Sequence, residues 1–333
     1  MRAAFLARPG VVEVGDFPVP VPDDNQILVK MHHVSICGSD VHVIFDGFHS
    51  PDYLGRPGYP GHEGVGIVEQ SDFAEFPVGS AVLTVPNGQR GTCYAEYQAV
   101  NIGNVIALPE DIDLKRTMLA QQLGTTIFAL KKFLTVADEA GERHPKNAAV
   151  LGVGSAGLFF LQQLLARGIE VIVSDLNEGR LAIAQKLGAT RAVHEPIESV
   201  IDAATEATNG IGLDLVIEAA GFDRTRAAAV EAARIRGIVG FFGYPQVKGL
   251  APFPVERSFR KSLTMEWISG TQAEEDLMSF RAAVDAIQDG SIEVDYCLEA
   301  QYDLEDAPAA FAAARDQGLG KAKVGITMPG IDE

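Results

Sequence analysis

From residue 148 onward the chain alternates short apolar runs with amphipathic stretches of about 10 to 15 residues, and few folds accept that rhythm. The run AAVL (148–151) leads into SAGLFFLQQLLARG, where Leu158, Leu161, Leu164 and Leu165 fall on one helical face. EVIVS (170–174) precedes NEGRLAIAQKLG, LDLVIEAAG (213–221) precedes a further Ala-rich helical stretch, and GIVGFFG and LTMEWISG follow. Parallel neighbouring strands need a crossover connection, which a helix supplies, so this part is expected to form a doubly wound parallel sheet of the α/β class. At 333 residues the chain exceeds the size at which one core stops growing, so a second domain is expected. Residues 1 to about 110 supply it: AAFLA, VVEV, QILVKMHHVSI, GVGIVEQ, SAVLTV, AEYQAV and NVIALP read as short strands punctuated by Gly and Pro. A helix-like stretch (114–134) and a polar loop (137–146) lie between the two parts. Two helices (274–289 and 306–315) and a strand, KVGITM (323–328), close the chain and let its end rejoin the first part.

Gly152-Val153-Gly154-Ser155-Ala156-Gly157 stands directly between strand AAVL and the helix after it, the context that gives a G-x-G-x-x-G pattern its meaning. The first glycine permits a tight turn, and the second lets backbone approach a pyrophosphate. The third lets helix pack on strand, while helix N–H groups from Ser155 and Ala156 onward face the anion. Asp175 follows 18 residues past Gly157, close to the roughly 20 expected of a carboxylate that accepts from the adenosine ribose. That favours NAD. Two other readings stay open: Asp175 could cap the helix starting near Asn177, and Arg180 could accept the extra phosphate of NADP.

Cys37-Gly38-Ser39-Asp40-Val41-His42 closes the long N-terminal strand, and Gly61-His62-Glu63-Gly64-Val65-Gly66 follows 25 residues later. Taken singly, Cys37 could be a small buried apolar residue, His62 a hydrogen-bonded core histidine and Glu63 a turn carboxylate. Taken together, a thiolate, an imidazole and an oxygen ligand can hold Zn²⁺ tetrahedrally with one position left for substrate. Such an ion acidifies a bound alcohol and so eases transfer of its hydride to a nicotinamide. With the glycine turn and Asp175 beyond them, these motifs resemble the zinc-containing medium-chain dehydrogenase superfamily of alcohol, sorbitol and threonine dehydrogenases. The resemblance runs in order over essentially the whole chain.

The resemblance implies a GroES-like β-rich catalytic domain from residues 1–121 and 272–333, a Rossmann NAD-binding domain at 122–271, and an active site between them. It implies Cys37 and His62 as zinc ligands, with Glu63 a ligand or just behind the metal. Ser39 and His42 match positions that carry the alcohol proton outward, and Asp40 matches a carboxylate behind the ligands. Polyol-type relatives place Glu-Pro-Leu where this chain has Gln121-Gln122-Leu123, so the fourth ligand is Gln121, Glu63 or water. Lys323 occupies a place where relatives put a basic residue against the cofactor pyrophosphate. The segment from Val78 to Tyr97 resembles the family with its structural-zinc lobe deleted, so one catalytic Zn²⁺ per chain is expected, with Cys93 and Cys297 packing as ordinary side chains. A homodimer or homotetramer is the family expectation.

Charge narrows the partners. With 27 basic and 45 acidic residues the formal net charge is −18, which repels nucleic acid and anionic lipid. No apolar run reaches the roughly 18 residues needed to cross a bilayer, and MRAAFLARPGVVEV lacks the apolar core of a secretion signal. Three widely spaced cysteines argue for a reducing compartment. A cytoplasmic enzyme acting on CH–OH donors, a small alcohol, polyol or sugar, is the expectation. Two rivals share the fold: a zinc-free NADPH-dependent alkene or quinone reductase, and a catalytically silent ligand-binding relative.

Overall fold

The computed structural model describes residues 1–86, 91–139 and 144–331. Its organising element in the N-terminal part is the strand Gln26–Ser35, ten residues in which Ile27, Leu28, Val29, Met31 and Val34 are buried. Apolar side chains on both faces suit a central strand, and this one pairs with three others. Glu63–Gln70 runs antiparallel along one edge, while Tyr97–Asn101 and Gly325–Thr327 share the other. The full order is Gln301–Asp303, Gly325–Thr327, Gln26–Ser35, Glu63–Gln70, Ala81–Thr84, Val105–Ala107, with Tyr97–Asn101 off this path. Register matters here: Ser35 stands opposite both Glu63 and Gly325. This is the GroES-like β-rich fold. Its core gathers Leu6, Ile27, Met31, Val34, Tyr94 and Phe311 from both ends of the chain.

The second sheet has six parallel strands in the order Arg191–His194, Glu170–Asp175, Asn147–Leu151, Leu213–Glu218, Ala233–Phe241, Thr264–Trp267. That order, 3-2-1-4-5-6, is the doubly wound Rossmann arrangement. Every residue of Leu213–Glu218 is buried, as a strand covered on both faces requires. Contacts divide the chain into two compact units, Met1–Thr125 with Gly270–Glu333, and Thr126–Ser269. No helix among the described residues is long and apolar enough to cross a membrane.

Several elements differ from the sequence expectation for local reasons. The stretch at 114–134 forms two helices, Leu114–Thr117 and Ala120–Glu139, and the second takes up the first three residues of the expected loop at 137–146. Residues 140–143 of that loop lie outside the described residues. The helix expected from 274 begins at Met278, because Asp276 and Leu277 adopt φ of 54° and 52°, where a right-handed helix cannot run. Strand Arg191–His194 and helix Val200–Ala207 were not expected at all; neither carries a long apolar run.

The glycine turn is built as its chemistry requires. Gly152 has φ of 92°, in the left-handed region, and Gly154 caps helix Ser155–Leu165. A Cβ on Gly157 would sit 2.0 Å from the Gly152 carbonyl oxygen, so only glycine lets the helix start this close to the strand. Gly157→Val is expected to lower unfolding free energy by about 2–3 kcal/mol, read as a shifted urea midpoint. An unchanged midpoint would show that the turn yields without cost.

Candidate functional site

Helix Gly38–Phe45 starts where strand Gln26–Ser35 ends, with Cys37 as its N-cap. Asp40 reaches back to accept from the Cys37 backbone N–H at 3.1 Å, which ties the helix start to its own first turn. Asp40, Val43 and Ile44 point inward. Ser39 and His42, three residues apart, share the partly exposed side. His42 Nδ1 lies 2.7 Å from Asp46 Oδ2.

Glu63 opens the neighbouring strand and His62 stands immediately before it. One ligand atom from each of Cys37, His62 and Glu63 can be chosen so that all lie within 4.8 Å of one another, a span that one ion covers with small side-chain adjustment. They are the only such group among the described residues. His62 Nδ1 lies 3.0 Å from Asp40 Oδ1 and 3.3 Å from the Pro60 carbonyl. Both neighbours are acceptors, so in the neutral ring Nδ1 carries the proton and Nε2 is left with the lone pair a metal needs. Burial opposes charging this ring, but Asp40 and Cys37 outweigh it and hold the His62 pKa well above its ordinary value.

Lys323, expected at a cofactor pyrophosphate, has its ammonium 2.6 Å from Glu63 Oε2, both groups being almost fully buried. The physical reason is that Glu63 is carried into the β unit on Glu63–Gln70, where only a counter-charge makes an ionised carboxylate tolerable. Ser35 Oγ donates to the same oxygen at 2.5 Å. Burial pushes the Glu63 carboxyl up, but Lys323 and His62 prevail and hold it below its ordinary value. Burial likewise opposes the Lys323 charge, which Glu63 and Cys37 restore, raising its pKa.

A metal fits this set. Glu63 Oε1 is buried with no hydrogen-bond partner, and so is Gln121 Nε2. Gln121 is the second residue of helix Ala120–Glu139 and is 1% exposed. Since a side-chain amide can be turned over to exchange its O and N, that orphaned position can present a carbonyl oxygen. Cys93 and Cys297 are free and buried, and burial pushes both thiols up, away from the thiolate form a metal prefers.

In the second unit, the Asp175 carboxylate is already committed on both oxygens. Oδ2 accepts from Val153 N in the glycine turn at 2.8 Å, while Oδ1 accepts from Asn177 N at 2.9 Å and Arg180 Nη2 at 2.6 Å. Asn177, not Asp175, caps the following helix, Glu178–Lys186. The sequence reading missed Tyr94, whose hydroxyl reaches Asp40, and Ser35, whose hydroxyl reaches Glu63. Neither position carries a sequence signal, because both depend on strand register.

Two family models match the chain: an alcohol dehydrogenase GroES-like domain over residues 23–110 and a zinc-binding dehydrogenase domain over residues 153–289. L-threonine 3-dehydrogenase of Bacillus velezensis is 26% identical, across 92% of this chain and 93% of that protein. The crystal structure of an Escherichia coli oxidoreductase/dehydrogenase of unknown specificity superposes with a TM-score of 0.84 at 25% identity, covering 98% of this chain and 99% of the other. Galactitol-1-phosphate dehydrogenase of Escherichia coli gives 0.83 at 21% identity, covering 98% and 100%. The chain belongs to the zinc-containing medium-chain dehydrogenase/reductase superfamily, and within it to the zinc-type alcohol dehydrogenases.

The Glu63–Lys323 pair gives a direct test of the site's charge balance. Because Glu63 is held below its ordinary pKa, its share of stability is complete above the ordinary carboxylate range and is lost as pH falls through the depressed value. Lys323→Met leaves Glu63 buried without the cation it is paired with and is expected to cost about 3–5 kcal/mol of unfolding free energy at pH 7 in chelator. Lowering the pH to 5 should recover part of that loss, since Glu63 then takes up a proton. Urea denaturation at the two pH values reads both effects; equal stability of variant and parent at pH 7 would show that the pair carries no weight.

Proposed function

We propose that the protein is an NAD-dependent zinc dehydrogenase that oxidises a secondary alcohol, polyol or sugar hydroxyl reversibly to the carbonyl. The observation that carries this reading is the convergence of Cys37, His62 and Glu63 within 4.8 Å, with His62 Nδ1 facing the Pro60 carbonyl and the Asp40 carboxylate. Cys37 and His62 would hold Zn²⁺, with Glu63 and Gln121 as candidates for the remaining protein ligand. When bound, zinc supplies Lewis-acid activation of the substrate hydroxyl, and the nicotinamide accepts the hydride. Ser39 and His42, on one side of the same helix, would take the hydroxyl proton and pass it outward. Asp40 would keep the His62 ring in place and does not itself exchange protons with substrate.

On the nucleotide side, Gly152, Gly154 and Gly157 with the N–H groups of Ser155 and Ala156 would receive the pyrophosphate. Asp175 would accept from the ribose, and its placement speaks for NAD over NADP: a second phosphate there would meet a carboxylate. Arg180 is drawn into a 2.6 Å ion pair with Asp175, which lessens its call on an added phosphate. Lys323, paired with Glu63, would also face the pyrophosphate. A cytoplasmic location agrees with three free cysteines.

The deciding experiment is elemental analysis of purified protein with NAD⁺ and NADP⁺ reduction across secondary alcohols, polyols and sugars. About one zinc per chain, chelator-sensitive turnover and a roughly hundredfold or larger preference for NAD⁺ are expected, since opposing like charges cost several kcal/mol. No zinc with alkene or quinone reduction would move the chain to the zinc-free reductases, and zinc binding without turnover to a silent relative.

A homo-oligomer is also proposed. Strand Thr264–Trp267 ends the six-stranded sheet with one edge unpaired, and Trp267, Phe259 and Val255 are 55%, 83% and 68% exposed. An open edge with apolar neighbours invites pairing with a second copy. Light scattering should give a dimer or tetramer, and Phe259→Glu should shift it toward monomer; a monomeric parent would end this proposal.

A further inference from the structure

We infer that Tyr94 is a positioning residue for the metal centre: its hydroxyl fixes the Asp40 carboxylate, and through it both the His62 ring and the start of the helix that follows Cys37. The inference rests on the zinc reading above. Tyr94 is fully buried, and its hydroxyl donates to Asp40 Oδ2 at 2.5 Å. The Ser35 carbonyl, at 3.3 Å, is the poorer acceptor for the same proton. Asp40 is 0% exposed and has three polar neighbours on its two oxygens: the Tyr94 hydroxyl and the Cys37 N–H on Oδ2, and His62 Nδ1 on Oδ1. One carboxylate therefore links both proposed ligand residues, and its rotation is set by whatever holds Oδ2.

What holds the hydroxyl in place is the packing of its own ring. A Cβ on Gly61 would fall 2.7 Å from Tyr94 Cδ2, so the glycine before His62 is the space into which the ring is pressed. Phe311 meets the other part of the ring edge to face, with centroids 4.9 Å apart at 89°. The Tyr94 backbone is fixed as well, its N–H donating to Gly58 O at 3.2 Å and its carbonyl accepting from Ala4 N at 2.8 Å. Packing explains why a ring stands here. It does not require a hydroxyl, and the one present is aimed at the carboxylate whose other oxygen lies 3.0 Å from His62 Nδ1.

The experiment is zinc release from the full-length, zinc-loaded protein to a chromogenic chelator, with the visible spectrum of the Co²⁺-substituted protein as a second readout. Partners one step behind a ligand change metal affinity by about 10- to 100-fold, and Tyr94 acts one step further back. Tyr94→Phe, which keeps the ring, is therefore expected to weaken zinc roughly tenfold and to shift the cobalt bands, with the melting temperature of the metal-free protein little changed. In an Asp40→Asn background the same substitution should add almost nothing, since the two act as one unit. Parent-like zinc release and cobalt spectrum in folded Tyr94→Phe would overturn the inference. Should that variant fail to fold, Phe311→Leu, which loosens the ring and keeps the hydroxyl, must weaken zinc in the same direction, and unchanged release would overturn it instead. A parent protein that binds no zinc would sink the metal reading and this inference together, whereas a zinc-binding parent with unaffected variants sinks only the inference.

Discussion

Charge buried inside the β-rich unit sets the terms for everything around the candidate metal centre. Asp40, His62, Glu63 and Lys323 are each no more than 5% exposed. An ion taken out of water costs several kcal/mol even after relaxation, so such a cluster persists only when each charge meets an opposite charge or a donor. Lys323 and Ser35 meet Glu63; His62, Tyr94 and the Cys37 N–H meet Asp40. The compensation depends on register. Ser35 faces Glu63 only because Gln26–Ser35 and Glu63–Gln70 pair as they do, and a slip of one residue would put these two side chains on opposite faces of the sheet.

The unit built on the six-stranded parallel sheet solves a similar problem with backbone instead of counter-charges. Its turn leaves N–H groups at a helix start, and the Asp175 carboxylate satisfies one of them at Val153 while also accepting from Asn177 and Arg180. At another helix end the same logic appears with the sign reversed. Lys261 is 7% exposed and donates to the carbonyls of Val230, Glu231 and Ala233, at the end of helix Asp223–Ala232. Three carbonyls can hold an ammonium there because a helix C-terminus carries partial negative charge. Burial lowers the Lys261 pKa although the Glu231 carboxylate lies 3.9 Å away, whereas Lys323, 2.6 Å from the Glu63 carboxylate, has its pKa raised.

The donor set also bears on which ion it suits. A thiolate and an imidazole are borderline-soft ligands of the kind zinc takes, while calcium and magnesium want oxygen alone.

Much of this protein was legible before any coordinates. The alternation of apolar runs and amphipathic stretches after residue 148 specifies a parallel doubly wound sheet, because period and spacing are local properties that a linear sequence states directly. The same holds for the glycine turn at 152–157 and for Cys37 and His62, each of which sits in a contiguous motif. The short strand Arg191–His194 and helix Val200–Ala207 escaped notice because their stability comes from neighbours and not from their own composition. Tertiary structure alone decided that Lys323 serves Glu63, that Tyr94 reaches Asp40, and that Asp175 is shared between a turn and an arginine. Those pairs lie 260, 54 and up to 22 positions apart, and contacts across such separations are set by strand register and by the need to neutralise charge buried together, neither of which is written in any single stretch of sequence.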